Sequence, residues 1–169
     1  MAYTMKVDGM EELSEMLSEF QEKAPAVASK ALYDGAGIMA DAVNKEAGNI
    51  RTETFHYAVF PGATSRLPSP EEKEIVEAAA AGIAKFNRNG TEVDTSVGFR
   101  NAGYAELKGK MVPIPKIVNA INSGTSFMPK QPFIRKAAST ASPKALEAMR
   151  KRIEEEFDAI GKQYKASMK

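Results

Sequence analysis

The chain has 169 residues, 43% of them hydrophobic and 27% charged, which suits one globular domain with a single well-filled core. Its formal net charge of +1 argues against a dedicated nucleic-acid binder, whose affinity would come from a marked excess of Lys and Arg. There is no cysteine, so disulfides, thiolate metal sites and cysteine nucleophiles are excluded.

The stretch from Met1 to Lys6 lacks a basic segment followed by an apolar one, and no apolar run approaches the ~20 residues that cross a bilayer. The expectation is a soluble chain made inside the cell, without a membrane partner. Tyr3, Met5 and Val7 alternate with polar neighbours, as in a short half-buried strand. Asp8 stands three residues before Glu11, an acceptor pair suited to a first helical turn, and Met10, Leu13, Leu17 and Phe20 then recur at helical spacing. A helix is predicted over 9–23. Pro25 suits the first turn of a second helix, running to about Ala47, with apolar stripes through Val27, Ala31, Ile38 and Ala42 and through Leu32, Met39 and Val43. Gly35 and Gly37 each cost roughly 1 kcal/mol relative to alanine inside a helix, which predicts close approach of another backbone.

Residues 48–69 change character, with Gly48, Asn49, Pro61, Gly62 and Pro68 punctuating a Ser/Thr-containing passage. Phe55, Tyr57 and Val59 alternate as in a short strand, but the passage otherwise reads as a long loop, mobile in the free subunit and ordered by neighbours. Ser69-Pro70-Glu71-Glu72 is a helix start with a cap, a first-turn proline and a capping-box glutamate, opening a helix to about Ala80. Asn89-Gly90 predicts a hairpin between 82–87 and 92–99, although 82–87 also fits an extension of the preceding helix. Residues 100–112 read as irregular, and Ile114, Ile117, Val118 and Ile121 as a short helix. Ser142-Pro143 opens the last helix, in which Leu146, Met149, Ile153, Phe157, Ile160 and Tyr164 recur at spacings of three and four. The sum is an α+β domain over 1–169: a small, mainly antiparallel sheet packed against two N-terminal helices and a long C-terminal helix.

The sequence holds no recognisable catalytic or metal-binding pattern. His56 is the one histidine, set in an aromatic-rich loop without a nucleophile or acid beside it, and zinc would require several His or Cys ligands. The acids at 11–22, 71–77 and 154–158 fall on helix faces and read as solvated surface. The passage from Gly103 to Lys110 is one residue too long between its glycines for a phosphate-binding loop, and Met111 stands where Ser or Thr would meet magnesium. Neither an enzyme nor a cofactor site is expected.

One segment is unusual for a generic domain: Asn119-Ala120-Ile121-Asn122-Ser123-Gly124-Thr125-Ser126-Phe127-Met128-Pro129-Lys130-Gln131-Pro132-Phe133-Ile134-Arg135-Lys136-Ala137. Gly124 ends the short helix, Thr125 and Ser126 can bond local backbone, and Pro129 and Pro132 hold an extended passage from which Phe133 and Ile134 enter the core. If the extension continues through Arg135, that side chain shares a face with Phe133. On physics alone the segment is either a rigid connection or an interaction surface. Gly-Thr-Ser, Met-Pro and Pro-Phe-Ile-Arg in this order resemble the hallmark of the gene-product-ten-like tail-component family of long-tailed bacteriophages. Gly9-Met10-Glu11-Glu12-Leu13, the Ala-rich second helix and Val97-Gly98-Phe99 extend the resemblance over most of the chain. Where that family often has an acid and an aromatic before Gly-Thr-Ser, this chain has Asn122 and Ser123, and Lys136 replaces a frequent proline. The resemblance implies a non-catalytic virion protein of the neck or tail: a ring subunit, hexameric, between the head connector and the tail tube or terminator, with DNA passing through its lumen unread. A tail terminator or other minor tail protein is the nearby alternative, and a nucleic-acid-binding module the distant one. The motif positions carried over are Gly124, Thr125, Ser126, Pro132, Phe133 and Arg135.

Overall fold

In the computed structural model the described residues are 10–52, 58–60, 63–64, 66–89 and 92–167. The strand expected at 3–7 lies outside them, as do Phe55, His56 and Tyr57 and, within the passage expected as a long loop, the rest of 53–57 and residues 61, 62 and 65; the described part of that passage includes a short ladder between β1 (Ala58–Phe60) and β2 (Ala63–Thr64).

The two helices expected at the N-terminus are one. Helix α1 runs from Met10 to Gly48, with Pro25 inside it. An internal proline removes the hydrogen bond to the carbonyl four residues back, here that of Gln21, which is exposed and open to water. Pro143 sits likewise inside α4 (Phe133–Ser167), which opens ten residues before the expected start, and the carbonyl it frees belongs to the exposed Ser139. Both helices continue because each packs along the other. The Phe20 and Phe157 rings meet edge to face at 5.3 Å, Lys30 pairs with Glu156 at 2.6 Å, Asp34 with Arg152 at 2.6 Å, and Glu46 with Lys136 at 2.8 Å. Rising numbers on α1 meet falling numbers on α4, so the pair is antiparallel.

Small side chains recur on the buried faces of the two helices. Ala31, Ala36, Ala40 and Ala47 are buried on α1, and Ala137, Ala141 and Ala145 on α4 at four-residue spacing. A Cβ at Gly35 would overlap Met149 of α4, so that glycine admits a side chain, not the backbone expected. Gly37 faces open space. The apolar stripes are wider than the pairing covers: Leu17 is 56% exposed, and Leu146 and Ile153 of the last helix are exposed as well.

The strand content is antiparallel, in separate two-stranded ladders where one sheet was expected. Strands β3 (Ala81–Asn89) and β4 (Glu92–Phe99) form the expected hairpin, with a register shift between Ile83 and Lys85, and the Asn44 side chain of α1 accepts from Ala81 N at 2.6 Å and donates to Ala81 O at 3.1 Å. The passage expected to be irregular holds a second hairpin, β5 (Tyr104–Leu107) with β6 (Lys110–Pro113). Lys108 and Gly109 turn it with φ of 51° and 74°, the paired positive values of a tight two-residue hairpin loop. Between the hairpins, Arg100 N and Asn101 N donate to the carbonyls of Ala80 and Ala79, which ends the ladder and keeps the two pairs apart.

Helix α2 (Pro70–Ala79) has the expected capping box: Ser69 Oγ accepts from Glu72 N, and Glu72 accepts from Ser69 N. Helix α3 (Ile114–Ser123) buries Ile114, Ile117, Val118 and Ile121 against Val76, Ala79, Val43, Ala47 and Phe133. No described helix is long and apolar enough to cross a membrane.

Glu72 is 6% exposed, and Arg66 grips it with two parallel bonds, Nη1 to Oε2 at 2.5 Å and Nη2 to Oε1 at 2.6 Å. Burial pushes this carboxyl up; the Arg66 guanidinium and the Ser69 N–H outweigh that and hold it below the ordinary value. A carboxylate whose folded pKa is depressed contributes stability that is fully present above its unfolded value, ordinarily about 4.3, and is lost as pH falls through the folded value. Glu72→Gln should therefore lower stability at neutral pH by about 1–3 kcal/mol. In chemical denaturation measured across pH, the gap from wild type should close as acid protonates Glu72.

Candidate docking surface

The motif segment spans the end of α3, a loop and the first turn of α4. Gly124 closes α3 by donating its N–H to Ala120 O at 3.0 Å, with φ 81°. A Cβ there would stand 2.9 Å from Lys130 N and 3.0 Å from Met128 O, so both backbone angle and space demand glycine. Thr125 then closes a tight turn: its N–H donates to Met128 O at 2.8 Å, and its Oγ1 accepts from Phe127 N at 3.2 Å and Met128 N at 3.1 Å. Met128 is drawn into the core, while Ser126 and Phe127 are left at the tip, Phe127 being 62% exposed.

The far side of the loop is fastened to three elements. Gln131 N donates to Ile121 O at 2.8 Å, and the Gln131 side-chain amide exchanges two bonds with the Arg51 backbone, each of 2.9 Å. Phe127 O accepts from Arg66 N at 2.8 Å, joining the tip to the segment that the Glu72 pair anchors. Asn122 Oδ1 accepts from Ile134 N at 3.2 Å, satisfying one of the N–H groups that the start of a helix leaves unpaired. Asn122 thus supplies a side-chain acceptor at one of the three positions where this chain departs from the phage pattern.

The extended course expected through 133–135 is absent, because α4 begins at Phe133. Successive helical residues are turned by about 100°, so positions two apart face opposite ways, where in a strand they would share a face. Phe133 accordingly points into the core at 4% exposure, while Arg135 is exposed on the first turn. Pro132 is exposed just before it. The motif residues therefore divide: Gly124, Thr125 and Phe133 hold the fold, and Ser126, Pro132 and Arg135 line the outside.

A cleft of about 230 Å³ opens beside this turn, lined by Glu46, Arg51, Lys130, Gln131, Pro132 and Lys136 among others. Glu46 is the one carboxylate in that lining; the hydrogen bond from Lys136 holds its pKa below the ordinary value. Among the described residues, Arg51, Lys130 and Arg135 make no ion pair. The surface is thus basic, with an exposed aromatic on the same loop. Sequence reasoning named Arg135 but missed Arg51, Lys130 and Gln131. Gln131 and Lys130 lay inside the motif, while Arg51 is 80 positions away from Gln131 and no local pattern points to it. Among the described residues no group of acids and histidine is placed to hold a metal ion.

Compared with protein-family models, curated proteins and solved structures, the chain has no match in any of the three.

Two substitutions separate the halves of the motif. Phe133→Ala should destabilise the chain by about 3–5 kcal/mol, the range for emptying a buried aromatic site. Arg135→Ala should leave the melting temperature within a few degrees of wild type. Thermal melts of both decide it: equal losses would make Arg135 a part of the core.

Proposed function

We propose that this chain is a structural virion protein of a tailed phage or prophage, a neck or tail-completion component that joins the tail to the head connector as a ring subunit. Two things support the reading. The first is the ordered resemblance of the segment 119–137, with further matching stretches along the chain, to the phage tail-component family. The second is the division within that segment: Phe133 is buried in the core, and Arg135, with no carboxylate partner among the described residues, faces out. A guanidinium presented on a rigid turn is suited to a carboxylate on another protein, since the planar fork is already oriented. That observation carries the proposal. The role requires association and no turnover.

The basic cleft also gives the nucleic-acid reading a foothold, since two cations that make no ion pair among the described residues, Arg51 and Lys130, line it. Their number is small, and the chain as a whole is nearly neutral. Strong DNA binding by the isolated protein, falling steeply with salt, would favour that alternative.

A phage strain lacking this gene should make filled heads and separate tails, or tails of defective length, that do not join into infectious particles. Arg135→Ala supplied in trans should restore joining poorly although the variant is folded. Electron microscopy of lysates reads both outcomes, and normal joined virions from the deletion strain would contradict the proposal.

A further inference from the structure

We infer that the motif end of one copy of this chain docks head to tail on the opposite end of the α1–α4 pair of a second copy. The inference rests on the ring role proposed above and assigns the two surfaces that would meet.

The antiparallel pairing sorts charge to two poles. The α1 N-terminal end lies beside the α4 C-terminal end, as the Phe20–Phe157 contact fixes. There, residues 14–23 and 154–164 carry seven carboxylates against two lysines, Lys23 and Lys162. Lys23 is already paired with Glu19, Glu156 with Lys30 and Glu155 with Lys151, leaving Glu15, Glu22, Glu154 and Asp158 without an ion pair among the described residues. At the other pole Arg51 and Lys130 line the cleft, Arg135 is exposed on the first turn of α4, and Lys136 is held by Glu46. From Phe20 to Glu46 the helical rise amounts to about 39 Å, several times the roughly 8 Å over which salt screens exposed charges. The poles of one chain therefore cannot neutralise one another. A second copy can do it.

Each pole also carries apolar surface that its own fold leaves uncovered. Leu17 and Ile153 are exposed on the acidic arm, and Phe127 and Pro132 at the basic motif. Charge of opposite sign around exposed apolar side chains on both faces provides steering and something to bury once the faces meet. The two faces differ, so the contact is heterologous, and repeating it from copy to copy closes a ring when the rotation per subunit allows.

The test uses the purified full chain and two charge-reversed variants at exposed positions, Lys130→Glu with Arg135→Glu, and Glu154→Lys with Asp158→Lys. Both should melt like wild type, since none of the four residues is in an ion pair among the described residues. In sedimentation velocity at low salt, wild type should self-associate and dissociate as salt is raised. Each variant alone should associate at least about tenfold more weakly, and an equal mixture should regain association because reversed faces now match reversed faces. Three results would overturn the inference: wild type that stays monomeric to millimolar concentration, association indifferent to either reversal, or a mixture that fails to recover. Normal virions from the gene deletion would remove the tail role and leave this contact standing. Failed recovery in the mixture, with unjoined particles from the deletion strain, would do the reverse.

Discussion

The close antiparallel packing of α1 against α4 is the constraint on which the remaining structure depends. Gly35 admits Met149 where even a Cβ would not fit, and buried alanines recur along both helices, at 31, 36, 40 and 47 and at 137, 141 and 145. Burial along this seam accounts for two prolines surviving inside helices, each at a position that would cost about 3 kcal/mol in an isolated one. It also fixes which ends of the two helices share a pole. The basic motif must lie at the end of α1, where Glu46 meets Lys136, because α4 starts there.

From that junction the motif acts as a clasp. Gln131 ties the loop to the residues just past α1, Asn122 ties α3 to α4, and Arg66 ties the tip to the Glu72 anchor of α2. A loop held at both ends and in the middle has little freedom left to lose on binding, so a partner that meets it incurs little ordering entropy. Helical geometry then sorts the side chains. Starting α4 at Phe133 turns Phe133 and Arg135 to opposite sides, and one short run of sequence serves the core and the surface together. The same rigidity that stabilises the fold holds the exterior cations in place.

Much of the fold was legible in the sequence where signals are local. The Ser69–Glu72 cap, the antiparallel pairing of 82–87 with 92–99 and the apolar spacing of Ile114 to Ile121 each have a chemical cause within a few residues. The α+β class followed from them. What failed to show was whatever depended on a distant partner. Pro25 and Pro143 read as helix starts because nothing nearby reveals the seam that carries the helices past them. The Lys108-Gly109 turn is a different case: a Gly in the second turn position, flanked by alternation from Tyr104 to Leu107, is a local signal. At the candidate site the motif order was legible, and so was the burial of Phe133. The orientation of Arg135 was not, since it reverses when the backbone changes from strand to helix.

In the proposed contact the loop and first helical turn at 124–136 meet the acidic end of the α1–α4 arm on another copy. Following backbone amide shifts by nuclear magnetic resonance as the chain is concentrated tests it most directly. Amides of 124–136 and of 154–164 should move together, with the same concentration dependence, while those of the β3–β4 and β5–β6 hairpins stay fixed. Shifts confined to the hairpins, or shifts in one of the two segments without the other, would contradict it.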